Sequence, residues 1–172
     1  MKCIPRIAFV AVYALLVVSS PVHAETTVKH GQFLHEKRVM TVGGALAVRA
    51  NKKDDLATDV VLKDKVVASI DSDKVSFNFK FTVRGSDVVL FHATEGASCP
   101  AMYYFLLVGA DGKTVFSGKE GFGNCDDRPT LSYDDKGVTL SVSAASDGRP
   151  SKGKHVERWV WDYSTKPPAK QK

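Results

Sequence analysis

Cysteine is scarce: the chain of 172 residues has three, and no two of them form a Cys-x-x-Cys redox pair. Long apolar runs are equally few. Ile7 to Val18 is the one unbroken stretch, and it is shorter than the roughly 20 residues a membrane-spanning helix needs. No later segment is long or apolar enough to span a bilayer, so no membrane span is expected after the N-terminal region. No segment repeats an apolar stripe at helical spacing over about three turns, which argues against a helical fold. The catalytic signatures are missing too. There is no Gly-x-Ser-x-Gly elbow, and Gly118-Lys119-Glu120-Gly121-Phe122-Gly123 lacks the Gly-Lys-Ser/Thr ending of a phosphate loop. Asp71-Ser72-Asp73 opens like a calcium loop without the glycine and glutamate that would complete one. Excess charge is absent from the body of the chain: residues 25–165 hold 19 basic and 19 acidic side chains, although the whole sequence is at +5. A neutral body with a basic tail does not look like a nucleic-acid binder, which would concentrate charge on a folded face.

What is present begins with an export signal. Lys2 and Arg6 precede the apolar run, Ser19-Ser20-Pro21 ends it, and Val22-His23-Ala24 offers small residues at the positions a signal peptidase reads. Residues 1–24 therefore read as a signal peptide cleaved after Ala24, leaving a length typical of one domain. The expected location is outside the cytoplasm, with the bacterial periplasm favoured over full secretion. Cys3 leaves with the signal. Cys99 and Cys125 remain, an even pair in an oxidising compartment, and are expected to bond to each other. Pro100 beside one and two aspartates after the other make a poor setting for a thiolate nucleophile. At the far end, Lys166-Pro167-Pro168-Ala169-Lys170-Gln171-Lys172 reads as a basic, solvated tail that frays. The domains expected are thus 1–24 signal peptide, 25–165 one β-rich domain and 166–172 flexible tail.

Strand signals dominate the domain. Ser76 to Val83 alternates, with Phe77, Phe79, Phe81 and Val83 expected on one buried face. Val88 to His92 returns across Arg84-Gly85-Ser86-Asp87 and reads as buried on both faces. Met102 to Val108 and Thr114 to Phe116 flank Asp111-Gly112, the dipeptide a tight hairpin turn favours. Thr130 to Tyr133 and Val138 to Ser143 flank another turn ending in Gly137. Glu157 to Tyr163 would set Trp159, Trp161 and Tyr163 on one face. In the N-terminal third, Arg38 to Val42, Leu46 to Arg49, Val60 to Leu62 and Val66 to Ala68 read as further strands, and Lys52 to Thr58 as a loop or one helical turn. Turn signals this frequent predict an all-β fold, an antiparallel meander forming a sandwich or a barrel-like sheet, with one disulfide.

The chemistry-bearing residues are sparse. His30 and His35, with Glu36, are metal-ligand types, but their spacing does not put them on one face of a helix, so surface roles are expected for them and no metal or cofactor. His92 closes a buried strand, where a hydrogen-bonded structural histidine is the usual outcome. As a catalytic base it would need Ser98 or Ser86 as nucleophile. The segment Lys119 to Arg128 is the candidate recognition loop. Phe122 stands between two glycines, and Asn124, Asp126, Asp127 and Arg128 crowd the crosslink, which would lower the entropy cost of binding. Phe122 either anchors a partner or folds inward as a plug. The stretch Arg149 to Arg158, with Lys152, Lys154 and His155, reads as a polar loop with four positive charges that either meets an acidic protein or envelope polymer or is solvated.

Cys99-Pro100-Ala101, an aromatic strand, an Asp-Gly turn and Phe122-Gly123-Asn124-Cys125-Asp126 together resemble a frame found in small exported bacterial β-proteins, most of them without an assigned function. The resemblance covers about 30 residues and implies an envelope location and the disulfide. It transfers no catalytic residue, and the motifs of lysozyme-inhibitor families are missing. The expected function is a non-enzymatic binding module that recognises a protein partner, of inhibitor, immunity or accessory type. The alternatives are a small hydrolase working near His92 and a small-ligand carrier with an open apolar interior.

Overall fold

A computed structural model describes residues 26–28, 36–94, 99, 101–126, 128–143, 145–146, 149–150 and 156–171. The signal segment, His30, His35, Ser98, Asp127, Lys152, Lys154 and His155 lie outside them. Every named element is a strand. In chain order these are β1 (Thr26–Val28), β2 (Arg38–Thr41), β3 (Gly44–Ala50), β4 (Thr58–Leu62), β5 (Lys65–Ile70), β6 (Val75–Val83), β7 (Ser86–Ala93), β8 (Met102–Val108) and β9 (Thr114–Phe116). They continue with β10 (Thr130–Tyr133), β11 (Val138–Ser143), β12 (Ala145–Ser146), β13 (Arg149–Pro150), β14 (Val156–Trp161) and β15 (Ala169–Gln171). All pairings are antiparallel, and no described helix is long and apolar enough to cross a membrane.

The strands form three principal sheets. The first runs β2-β3-β4-β5, the central one β6-β7-β8-β9, and the third β1-β10-β11-β14-β15, while β12 and β13 pair alone. Each follows chain order apart from β1, as local hairpins dictate. The fold is therefore all-β and sandwich-like, with the central sheet covered on both faces. Leu46, Val60 and Ile70 of the first sheet pack against Val89, Phe91 and Leu106 in one core. Val88, Leu90 and Phe105, from the other face of the central sheet, pack against Leu131, Leu140 and Trp161 in a second. Adjacent residues of β7 and β8 thus serve different cores, which is why these strands carry continuous apolar runs.

Covering both faces also explains a departure from the alternation in β6. Phe77 does not share a face with Phe79, Phe81 and Val83. The register shifts between Phe77 and Phe79, where Asn78 has no partner strand residue. This β-bulge turns Phe77 into the first core and leaves Phe79, Phe81 and Val83 in the second.

Two further expectations change. Asp111-Gly112 does not make a two-residue turn: β8 and β9 pair at Val108 and Thr114, and residues 109–113 form a longer loop in which only Gly112 has positive φ (81°). The two-residue turns with both central φ positive lie elsewhere, at Lys63-Asp64 and Arg84-Gly85. The C-terminal segment does not fray along its whole length. Ala169, Lys170 and Gln171 pair with Val160, Trp159 and Arg158. The Nε1–H of buried Trp161 donates to the carbonyls of Ser164 (2.8 Å) and Lys166 (3.1 Å), which anchors the approach to β15. The segment from Lys52 to Thr58 holds no helical turn.

Candidate functional site

The disulfide corner carries most of the residues that the sequence marks for recognition. Cys99 and Cys125 are bonded, with their Cα atoms 4.6 Å apart, joining the approach to β8 to the loop after β9. Phe122 forms a two-way bridge with Tyr103: its carbonyl accepts from the Tyr103 N–H (2.8 Å) and its N–H donates to the Tyr103 carbonyl (3.1 Å). The backbone lies so close to β8 that a Cβ on Gly121 would meet Met102 Cβ at 2.9 Å, and Gly123 takes φ 112°. The Phe122 ring is consequently 4% exposed and packs beside Phe105 and Trp159. It is a plug and not an anchor presented to a partner.

Asn124 and Asp126 also face inward. Asn124 Nδ2 donates to the Ser143 carbonyl (2.6 Å), and the buried Asp126 carboxylate accepts from the N–H groups of Ser143 (2.8 Å) and Arg128 (3.0 Å). The Tyr103 hydroxyl donates to the Asp126 carbonyl (2.6 Å). The structure brings Phe122, Asn124 and Asp126 together as a bracket between the central sheet and the end of β11. Their polar groups are spent on the chain itself. Arg128 is exposed beside them.

His92 lies opposite Ser76 on one side and Tyr103 on the other. Its Nδ1 is 2.8 Å from Oδ1 of Asn78, the bulge residue, whose side chain is buried. Ser86 starts the same strand six residues earlier, about 20 Å away at strand rise, and so does not reach His92. The interior between the sheets is occupied by stacked rings such as Phe105–Trp161 (5.5 Å between centroids) and Phe91–Tyr104 (5.3 Å).

A surface the sequence did not single out lies on the first sheet. Leu46, Val60 and Leu62 point into the first core, so Ala47 and Val61, their neighbours in β3 and β4, point the other way. Arg38, Ala47, Val61 and Val66 form one cross-strand row on that outer face, with Met40 and Ala45 in the next. Val61 is only 5% exposed, yet belongs to neither core cluster. It floors a shallow depression of about 220 Å³ with Ala45 and Ala47, bordered by Arg38 and Lys63. Met40 is 61% exposed and Val66 42%. Farther along the same face, Asp59 is buried by Asn51 (2.8 Å) and Ser69 (2.7 Å), with Arg49 Nε at 3.9 Å.

Beside this face, the β4–β5 turn and the residue 109–113 loop enclose a larger groove of about 750 Å³. Leu62, Val66 and Val67 give it an apolar wall, and Lys63, Lys65 and Lys113 give it a cationic rim. Asp111 also lines it. Its carboxylate is held below the usual range by the backbone N–H of Lys113 (3.0 Å) and by the Lys113 ammonium (3.0 Å). The sequence signal for this region was the unbroken Val60-Val61-Leu62 run. A strand apolar on both faces needs two covers, and the first core supplies one.

No group of three or more potential metal ligands occurs among the described residues. No protein family, curated protein or solved structure matches the chain.

Proposed function

We propose that the protein is a non-enzymatic binding module that recognises a protein partner in the cell envelope, as an inhibitor, immunity protein or accessory factor. The outer face of the first sheet is its docking surface. The observation that carries this reading is the apolar row Ala47-Val61-Val66, flanked by exposed Met40, on a sheet face that belongs to neither core. Such a patch on an otherwise charged surface is a mark of an interaction site. The signal-like N-terminus and the disulfide support an exported location, with the bacterial periplasm as the compartment.

The test places a photoreactive side chain at Ala47 and, as control, at Thr139 on the third sheet. A single species crosslinked from Ala47 in periplasm, absent from Thr139, and rebinding the purified protein but not its Ala47→Arg variant, supports the reading. No crosslinked species, or equal capture from both positions, overturns it.

A second reading, a hydrolase, is favoured by one observation: Asn78 Oδ1 fixes one nitrogen of His92 while Ser76 stands opposite in register. Activity profiling against esters, peptides and peptidoglycan, repeated with Ser76→Ala and His92→Ala after confirming that both fold, decides it. Turnover lost in both variants would establish the hydrolase, and no turnover in the parent protein would remove it.

A further inference from the structure

The groove beside the docking face differs from it in charge, and that difference specifies a ligand chemistry. Its rim carries three ammonium groups and one lining carboxylate; Lys113 and Asp111 pair with each other (3.0 Å), which leaves Lys63 and Lys65 as the cationic side chains in excess. Asp64 lies between the first two lysines but borders the smaller depression on the outer face. Lys63 stands on the ridge between the two hollows and lines both.

The position of Lys63 is fixed by two features. Its backbone sits at φ 49° in the β4–β5 turn, where Asn or Gly would be the relaxed choice. Its aliphatic stem lies against Gly44, where a Cβ would run into Lys63 Cε. A lysine held this way gives up less side-chain entropy when it binds an anion. The wall below the rim is apolar, through Leu62, Val66 and Val67. A concave slot with an apolar wall and ammonium groups along its edge suits a chain that alternates carboxylates with small apolar side chains. A flat anionic lipid surface would meet the rim but leave the slot unfilled.

We infer that this groove receives an acidic, partly apolar segment of the partner protein, whose carboxylates pair with Lys63 and Lys65. The inference rests on the protein-binding reading above and adds the chemistry of the partner.

The test is an amide-resolved NMR titration of the full chain with a short synthetic peptide of glutamate, leucine and glycine. The same peptide with glutamine in place of glutamate serves as one control, and phosphatidylglycerol vesicles as another. Saturable shifts confined to residues 62–67 and 111–114, about tenfold weaker binding for the glutamine peptide and for the Lys63→Glu/Lys65→Glu variant, and weakening with salt support it. Equal binding of the two peptides, shifts spread to Arg84 and Lys136, no saturable binding, or binding to vesicles alone each overturns it. The variant's own spectrum reports whether it is folded. If the species crosslinked through Ala47 is still captured at undiminished affinity by Lys63→Glu/Lys65→Glu, the groove assignment fails while the binding-module reading stands. If nothing is captured through Ala47 in the parent protein, it is the binding-module reading that fails.

Discussion

Asp87 is the carboxylate on which the first two sheets meet. It is fully buried on β7 and accepts from the Val42 N–H (2.8 Å) in the β2–β3 turn, from the Thr82 hydroxyl (2.6 Å) and from Lys80 Nζ (3.4 Å). A carboxyl group buried this far is tolerated because both its oxygens have donors. Asp87→Ala strands a backbone donor and a hydroxyl, and should lower stability by about 3 kcal/mol. Asp87→Asn, which keeps the shape, should cost less. Urea titrations of the two variants check the order. At the other end of the stack, the Tyr163 hydroxyl shares its one proton between the carbonyls of Asp134 and Gly137, both at 2.8 Å. Burial pushes its phenol well above the usual range, and the Asp134 carboxylate adds to the effect. The folded state therefore holds this proton more tightly than the unfolded chain does. Its stabilising contribution is complete below the unfolded value of about 10 and is lost as pH rises through the folded one. Tyr163→Phe should be less stable at neutral pH by about 1–2 kcal/mol and should show a shallower alkaline decline. Denaturation series at rising pH measure both.

At the scale of elements, the bulge in β6 and the pairing of β15 are among the features that local pattern did not predict, as are the short strands β1, β12 and β13. Residue alternation tells which side chains share a face only while the register is regular, and Asn78 breaks it. The tail has the charge and prolines of a solvated terminus, but Pro168 is buried, Lys170 pairs with Glu157 (2.8 Å), and Lys170 Nζ lies 5.8 Å from the centre of the Trp159 ring. A chain ending at Thr165 should lose about 2 kcal/mol, chiefly from exposure of the surface under Pro168 and from the lost Trp161 acceptor at Lys166. Thermal unfolding of the truncated form, with tryptophan fluorescence as the probe, measures it. The strands themselves were legible. β8 and β9 match their expected limits, and the β7 run was correctly read as buried on both faces, because aromatic and β-branched runs bounded by turn residues leave few alternatives.

For the whole molecule, three stacked sheets supply two cores, and the disulfide closes a loop of 26 residues' separation at one corner. In the chain-entropy account, reduction of Cys99–Cys125 should cost about 3.5 kcal/mol. A chain with two packed cores should nevertheless remain folded when reduced, with a lower melting temperature. Calorimetry with and without reductant tests this, and collapse to an unfolded chain would show that the crosslink, more than the packing, holds the sheets. The candidate site was less legible than the fold. Phe122, Asn124 and Asp126 lie by the crosslink as their places in the chain require, but a loop's sequence does not say which way its side chains turn. Only the approach of that loop to β8 revealed that they point inward.

The sequence by itself determined the class of fold, the two cysteines that pair, and the limits of β8 to β11, because these depend on local period and turn chemistry. The tertiary structure decided what no local pattern encodes. It split the phenylalanines of β6 between two cores, closed Phe122 into the interior, and left the Ala47-Val61-Val66 row on the outer face of the first sheet. Each of these depends on how many faces of a sheet are covered, and that number is set by the stacking of distant strands.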